Sequence, residues 1–372
     1  QEQNLSLNKE TARATFASFG DAASAQKILP EYSKYWRSLD GQWEFHWVKQ
    51  PDERPKDFFQ PTFDVSGWAE IPVPSSWQSQ GYDVPVYSNQ RYLFKPDWPR
   101  VMGEPPPNYT AFTNRNPVGS YRRDFELPAD WTGTSPATGR RVVLHVGAAE
   151  SVLLAWVNGV EIGVGKDSHL ASEFDVTAAI RPGANTFRLV VVKWSDATFI
   201  EDQDQWWHGG ITRSVFLYAT APVHLADVRV HADLVEVPAE PDGLTGGDLS
   251  VVVEVGALGG RVPPGWSVSL ALDLPDGTTL DDATHLAASV PGSGPVDSGP
   301  IEDGQATQPL PIEPSVAMRS VYLNAAGGLP ATDEGAMHRV VAEAVQAYRR
   351  PLGMGRVAVS ARLGGVRPWT PH

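Results

Sequence analysis

At 372 residues the chain is too long for one ordinary hydrophobic core and divides into two or three domains; 41% hydrophobic and only 20% charged residues, with 34 Gly and 32 Pro, point to a turn-rich, mostly β protein. A formal net charge of -14 weighs against nucleic acid or an anionic membrane as partner, because such binders gain affinity by displacing counterions with Lys and Arg. No stretch approaches the roughly 18 apolar residues of a membrane span, the start QEQNLSLNKE lacks the parts of a signal peptide, and the absence of Cys fits a cytoplasmic protein without disulfides or Cys-ligated zinc.

Residues 1–35 are polar and irregular, an arm that needs an anchor elsewhere to be ordered. Strand signals follow at Gln42–Val48, Tyr121–Leu127, Val142–Val146 and Val152–Val157, short alternating runs bounded by Gly, Pro or Asn. Asn158-Gly159 between LLAWV and VEIGV predicts a type I′ hairpin, whose two central residues both need positive φ. Residues 71–119 form a long Pro- and aromatic-rich excursion, and an ordered loop of that length in a compact domain is usually functional.

A second module begins near Thr220. Val223–Ala232, Leu249–Val255 and Val268–Leu274 read as strands, the last entering a turn at Pro275-Asp276-Gly277, in the pattern of an immunoglobulin-like sandwich without a Cys pair. From about 287 the chain becomes irregular: PGSGPVDSGP is linker-like. Thr332–Arg350 then predicts a helix stopped by Pro351.

The most informative stretch is residues 194–213, WSDATFIEDQDQWWHGGITR, where Asp196, Glu201, Asp202 and Asp204 lie beside Trp206 and Trp207. Acidic runs on surface loops are commonly just solvated. This one is anchored between two apolar runs, Phe187–Trp194 and Ser214–Tyr218, so it can present its side chains in a fixed geometry. Carboxylates crowded beside aromatic rings suit sugar hydroxyls, a cation or both. Tryptophan serves both sandwich cores and stacking on pyranose rings, and core packing is the commoner use, so the 13 Trp do not identify a site by themselves. His208 beside the tryptophans reads as a structural histidine sooner than as an acid or base.

Four blocks carry a resemblance: SLDGQWEFHW at 38–47, VPSSWQSQGYDVPVYSN at 73–89, GKDSHLASEFD at 165–175 and KWSDATFIEDQDQWWHGGITRSV at 193–215. Together they resemble, in order and spacing over roughly residues 1–275, the N-terminal sugar-binding domain of the β-galactosidases of glycoside hydrolase family 2. The resemblance implies a jelly-roll-like, galactose-binding-domain-like β-sandwich over residues 36–220 after an N-terminal arm over 1–35, then an immunoglobulin-like β-sandwich over 221–372. It implies a β-galactoside as the sugar bound and hydrolysed with retention, Asn89 and Asp204 as substrate-binding residues, and Asp204 as a sodium ligand. A carboxylate that accepts hydrogen bonds from hydroxyls and ligates a hard cation makes that chemically sensible.

A second ion site in some members uses a glutamine where this chain has Lys166, and an aspartate matching Asp196; an ammonium only donates, so Asp196 is expected to pair with Lys166 instead. No catalytic residue is expected in this chain. The family's two glutamates sit on a (β/α)8 barrel of about 250 residues, and no such alternation follows Thr220. The chain, ending at VRPWTPH, therefore reads as the N-terminal portion of a larger enzyme, inactive alone, with magnesium belonging to the missing barrel. The arm resembles one by which members contact a neighbouring subunit, so a homo-oligomer is expected. Glucuronidases and mannosidases share the early domains, and the EDQDQWW block argues for galactose. The alternative from a different class is a non-catalytic carbohydrate-binding or assembly module.

Overall fold

The structure, a computed structural model, describes residues 6–13, 17–25, 27, 29–89, 92–104, 114–132, 139–201, 203–236, 244–258, 266–273, 287–289, 310–311, 319–325 and 358–365. The chain divides into two compact units, Gln1–Ala221 and Pro222–His372.

The first unit is a β-sandwich. One sheet has seven antiparallel strands in the order Ser6–Leu7, Val160–Lys166, Val152–Val157, Gly183–Val192, Val118–Leu127, Gly41–Val48, Ala69–Val73. The facing sheet has four, in the order Ser172–Asp175, Arg141–Val146, Val215–Thr220, Trp36–Ser38. Alternation in sequence becomes alternation in burial: along Val152–Val157, Leu153, Ala155 and Val157 point into the core and their neighbours do not. Trp43, Phe45, Tyr121, Leu153 and Phe187 from the seven-stranded sheet meet Leu144, Phe174 and Leu217 from the other in one buried cluster. Each such side chain contributes about 1.5–3 kcal/mol of transfer free energy, so this layer holds the sandwich closed.

The expected hairpin forms, with Asn158 at φ 52° and Gly159 at φ 86° linking Val152–Val157 to Val160–Lys166. The strand expected over Phe187–Trp194 ends at Val192, and Lys193 and Trp194 leave the sheet. The N-terminal arm is less irregular than its sequence suggests. Ser6 pairs with Gly165 and Leu7 with Val164, Lys9 bridges to Phe174, and the Glu10 N–H donates to the Glu173 carbonyl at 2.8 Å. The arm thus stitches the edge of one sheet to the edge of the other. Gly163 makes this possible, since a Cβ there would lie 2.3 Å from the Leu7 carbonyl oxygen.

The outer face of the seven-stranded sheet is covered as well. Phe58, Val118 and Val190 form a second buried cluster, with Trp68 and Trp156 against it, and Arg188 crosses it to donate to the carbonyls of Phe58 and Gln60. A third cluster joins the two regions singled out in the sequence: Leu93, Phe94 and Val101 of the excursion pack on Trp194, with Phe199 and Trp207 at its margin. The excursion is interrupted by short strands at Ala69–Val73, Ser75–Ser76 and Val86–Tyr87, which tie it into the sandwich.

The second unit contains two antiparallel sheets: Val223–Glu236, Leu244–Ala257, Arg319–Ala325 and Ala287–Ser289 in one, and Leu310–Pro311, Trp266–Asp273 and Ala358–Gly365 in the other. This is the immunoglobulin-like sandwich expected. The strands predicted over Val223–Ala232, Leu249–Val255 and Val268–Leu274 are present as Val223–Glu236, Leu244–Ala257 and Trp266–Asp273. The turn at 275–277, the linker at 291–300 and the helix over 332–350 lie outside the described residues. Among the described residues there is no (β/α)8 barrel, and no helix is long and apolar enough to cross a membrane.

Gly209 marks where core packing reaches the acidic turn, because a Cβ there would lie 2.2 Å from the Trp77 ring, which is fully buried. Gly209→Ala is expected to destabilise the first unit by about 1–3 kcal/mol through overpacking. Urea unfolding of the 372-residue chain followed by tryptophan fluorescence checks it, an unchanged midpoint being the contrary result.

Candidate functional site

Two short strands bring the excursion and the acidic turn together. Trp206 pairs with Tyr87 and Trp207 with Val86, antiparallel. Beyond that pair the chain turns, the Gln205 N–H donating to the Gln203 carbonyl at 2.8 Å with Asp204 between them, and Asn89 lies two residues past Tyr87. Asn89 and Asp204 are both exposed. The Tyr87 hydroxyl donates to Asp204 Oδ1, and that carboxylate raises the pKa of the hydroxyl. The rings of Tyr87 and Trp206 stand 5.7 Å apart, each about half exposed. Trp207 turns inward, its indole N–H 3.4 Å from the Ser88 carbonyl and its ring 5.1 Å from Trp194.

Behind this ladder lies a cleft of 440 Å³ with Tyr87, Trp206 and Leu93 in its walls and Asp83, Asn114 and Lys193 in its lining. Aromatic faces beside a small set of polar groups are the composition a sugar site requires. Asp83 takes φ 61° and accepts from Lys193 Nζ at 2.7 Å, Asn114 Nδ2 at 2.8 Å and Gln78 Nε2 at 3.0 Å. Burial pulls the Lys193 ammonium below its ordinary pKa, and the carboxylates of Asp83 and Glu150 oppose that.

Asp196 and Glu201 have partners away from Asp204. Asp196 accepts from Lys166 at 2.8 Å, the pairing expected from the sequence. Glu201 accepts from the Ser168 backbone N–H at 2.9 Å and its hydroxyl at 2.6 Å. Asp202 lies outside the described residues. Among the described residues no group of three or more His, Asp or Glu is placed to hold a metal ion. His208 is shifted toward its neutral form by burial and by Lys193, and its Nδ1 has no hydrogen-bond partner among the described residues.

Two features escaped the sequence reading. Glu150 is buried near Lys193 and Glu201 with the His208 backbone N–H beside it, and burial pushes its carboxyl up to about 7. A larger cleft, 660 Å³, is bordered by the arm and lined by Arg13, His145 and Glu173. Its charges satisfy one another: Arg13 lies 3.3 Å and His145 Nδ1 2.9 Å from Glu173, and Arg13 donates to the Tyr218 hydroxyl at 2.6 Å. The smaller cleft is the better candidate, since only it joins exposed aromatic rings to the acidic turn.

Fold and site together define a sugar-binding type of β-sandwich, with a tryptophan- and tyrosine-walled cleft beside an acidic turn. The family profile described as "Glycosyl hydrolases family 2, sugar binding domain" matches residues 36–221, and the chain belongs to that family. It is 36% identical over 249 residues to a β-galactosidase of Priestia megaterium (strain DSM 319 / IMG 1521), covering 67% of this chain and 22% of the relative. It is 34% identical over 256 residues to a β-galactosidase of Vibrio vulnificus (strain YJ016), covering 68% and 22%. The chain spans about a fifth of the length of these relatives. A β-glucuronidase of Bacteroides uniformis shares the fold, with a TM-score of 0.51 at 17% identity over 78% of this chain and 27% of that one.

Glu150 sets a pH dependence. Between its ordinary 4.5 and about 7 the unfolded chain has released a proton that the folded chain keeps, so this group's contribution to stability falls as pH rises through that window. Glu150→Gln removes the effect and is expected to gain on the parent chain by up to about 3 kcal/mol between about pH 4 and about pH 8. Denaturant melts of both proteins across that range test this, and a pH-independent difference would contradict it.

Proposed function

We propose that this chain is the N-terminal part of a β-galactosidase that hydrolyses terminal β-D-galactosides such as lactose with retention. Its first unit helps shape the galactose pocket, with Asn89 and Asp204 directed at sugar hydroxyls and Asp204 as one ligand of a sodium ion. The observation that supports this reading is the Val86–Tyr87 to Trp206–Trp207 ladder with the Tyr87 hydroxyl on Asp204, which ties the segment leading to Asn89 to the acidic turn beside two exposed rings. The name β-galactosidase borne by the relatives supports the choice of sugar.

The chemistry divides between parts. In a retaining glycosidase two carboxyl groups about 5–5.5 Å apart protonate the leaving oxygen and attack the anomeric carbon. We assign those groups, and a magnesium ion, to a barrel domain outside these 372 residues. What the first unit supplies is orientation: an amide and a carboxylate held on a short ladder restrict the ways a galactosyl group can enter. The Asp204 carboxylate has one oxygen engaged by Tyr87, and its other oxygen remains to accept from a hydroxyl or bind a hard cation. Sodium would bring fixed positive charge to which outer hydroxyls coordinate.

Association into a homo-oligomer and a cytoplasmic location belong to the same proposal. Both rest on resemblance and composition.

Asp204→Ala in the complete enzyme is expected to weaken galactoside affinity about tenfold, the scale of a lost hydrogen bond to a charged group, and to flatten the response to sodium. Steady-state kinetics over a sodium series provide the test, and an unaltered sodium response would sink the assignment. The 372-residue chain itself is expected to leave an aryl galactoside uncleaved; turnover by the purified chain would reject the division of labour.

A further inference from the structure

One buried cation stands where the segments that carry the candidate site meet. Lys193 lies just past the end of Gly183–Val192, on the path into the acidic turn. Its ammonium and the Asp83 carboxylate are 2.7 Å apart with side-chain exposures of only 3% and 5%. Asp83 opens the segment that leads to Tyr87 and Asn89. Through Gln78 the same carboxylate reaches the tryptophan turn, because Gln78 Nε2 donates to Asp83 while its Oε1 accepts the Gly209 backbone N–H at 3.0 Å. Glu150, the second carboxylate near Lys193, sits on a strand whose residue pairs directly with Gly210. Among the described residues the two short strands of the ladder have only each other as sheet partners, so their mutual register depends on what lies beneath them.

A buried pair is a poor source of net stability, since desolvating two charges costs about as much as their attraction returns. Its effect lies in direction: an ammonium and a carboxylate locked at hydrogen-bond distance fix the backbones that bear them. We propose that Lys193, with Asp83 as its partner, is a positioning residue of the candidate site, holding the Tyr87–Asn89 segment and the Asp204–Trp207 turn in the register that pairs Tyr87 with Trp206 and sets the Tyr87 hydroxyl on Asp204. Neither residue has to touch a sugar to do this. The consequence for galactoside binding rests on the function proposed above; the effect on the ladder does not.

Amide hydrogen exchange on the full 372-residue chain tests the proposal directly. Lys193→Met alone would leave Asp83 buried without a counter-charge and endanger folding, so the informative protein is the charge-balanced double variant Lys193→Met/Asp83→Asn, with Lys193→Arg as the conservative rescue. In the double variant the amides of Tyr87, Trp206, Trp207 and Gly209 are expected to exchange about tenfold faster while those of Val152–Val157 keep their protection, the mark of local opening. Lys193→Arg is expected to stay close to the parent. Unchanged exchange at the ladder, or a loss of protection shared evenly by the whole sandwich, would overturn the proposal. A parallel fluorescence titration with methyl β-D-galactoside separates the two readings. If the parent chain binds and the loosened double variant binds equally well, the positioning role is wrong; if the parent does not bind, the sugar reading suffers and the exchange result still decides the role of Lys193.

Discussion

The placement of the two short strands at the candidate site depends on a buried ammonium beneath them. Lys193 is nearly without solvent, and a lone cation there would be prohibitively costly. Asp83 makes it tolerable by direct contact, and Glu150 adds a second carboxylate whose own ionisation burial opposes. Burial pushes the Glu150 carboxyl up to about 7, while Asp83, with three donors on it, carries the hydrogen bonds. Those donors come from three separate stretches of chain, so the ion pair joins backbones that no sheet connects.

Packing completes what the ion pair begins. Phe94 meets Trp194 at 5.9 Å and Phe199 at 5.7 Å, and Trp194 meets Trp207, so a small aromatic cluster lies under the turn. Asn116 closes one side, its Oδ1 accepting the Trp194 N–H at 2.9 Å and its Nδ2 donating to the Trp194 carbonyl at 3.0 Å. Dispersion and apolar burial hold the two loops against each other without choosing a register. The directional bonds of Asp83, Gln78 and Asn116 choose it.

Much of this was legible because it is local. Asn158-Gly159 demanded a hairpin whatever surrounds it, and the alternating runs from Gly41 to Val157 could bury only one face. The Lys166–Asp196 pair was legible from one chemical fact, that an ammonium has no lone pair to offer a cation. The Asp83–Lys193 pair spans 110 residues of sequence, and nothing near either residue announces the other. A lysine directly after the apolar run FRLVVV was the available signal, since such a residue is committed to the protein interior and needs an acid. The four acids of the turn read as one cluster because they are close in sequence. The short helix Thr198–Glu201 instead directs Glu201 to Ser168 and leaves Asp204 to Tyr87.

That dispersal bears on what Asp204 can do. A carboxylate whose lone pairs are all taken by its neighbours has nothing left for a cation or a hydroxyl. Asp196 pairs with Lys166 and Glu201 with Ser168, while the Tyr87 phenol donates to Asp204. One of its oxygens is engaged by that hydroxyl, beside the Tyr87 and Trp206 rings of the cleft. Exposure limits the energy that such a group gains from any one ligand, because water competes for the same lone pairs. Its value lies in being held at a known place, and the residues that hold it there are buried beneath the ladder.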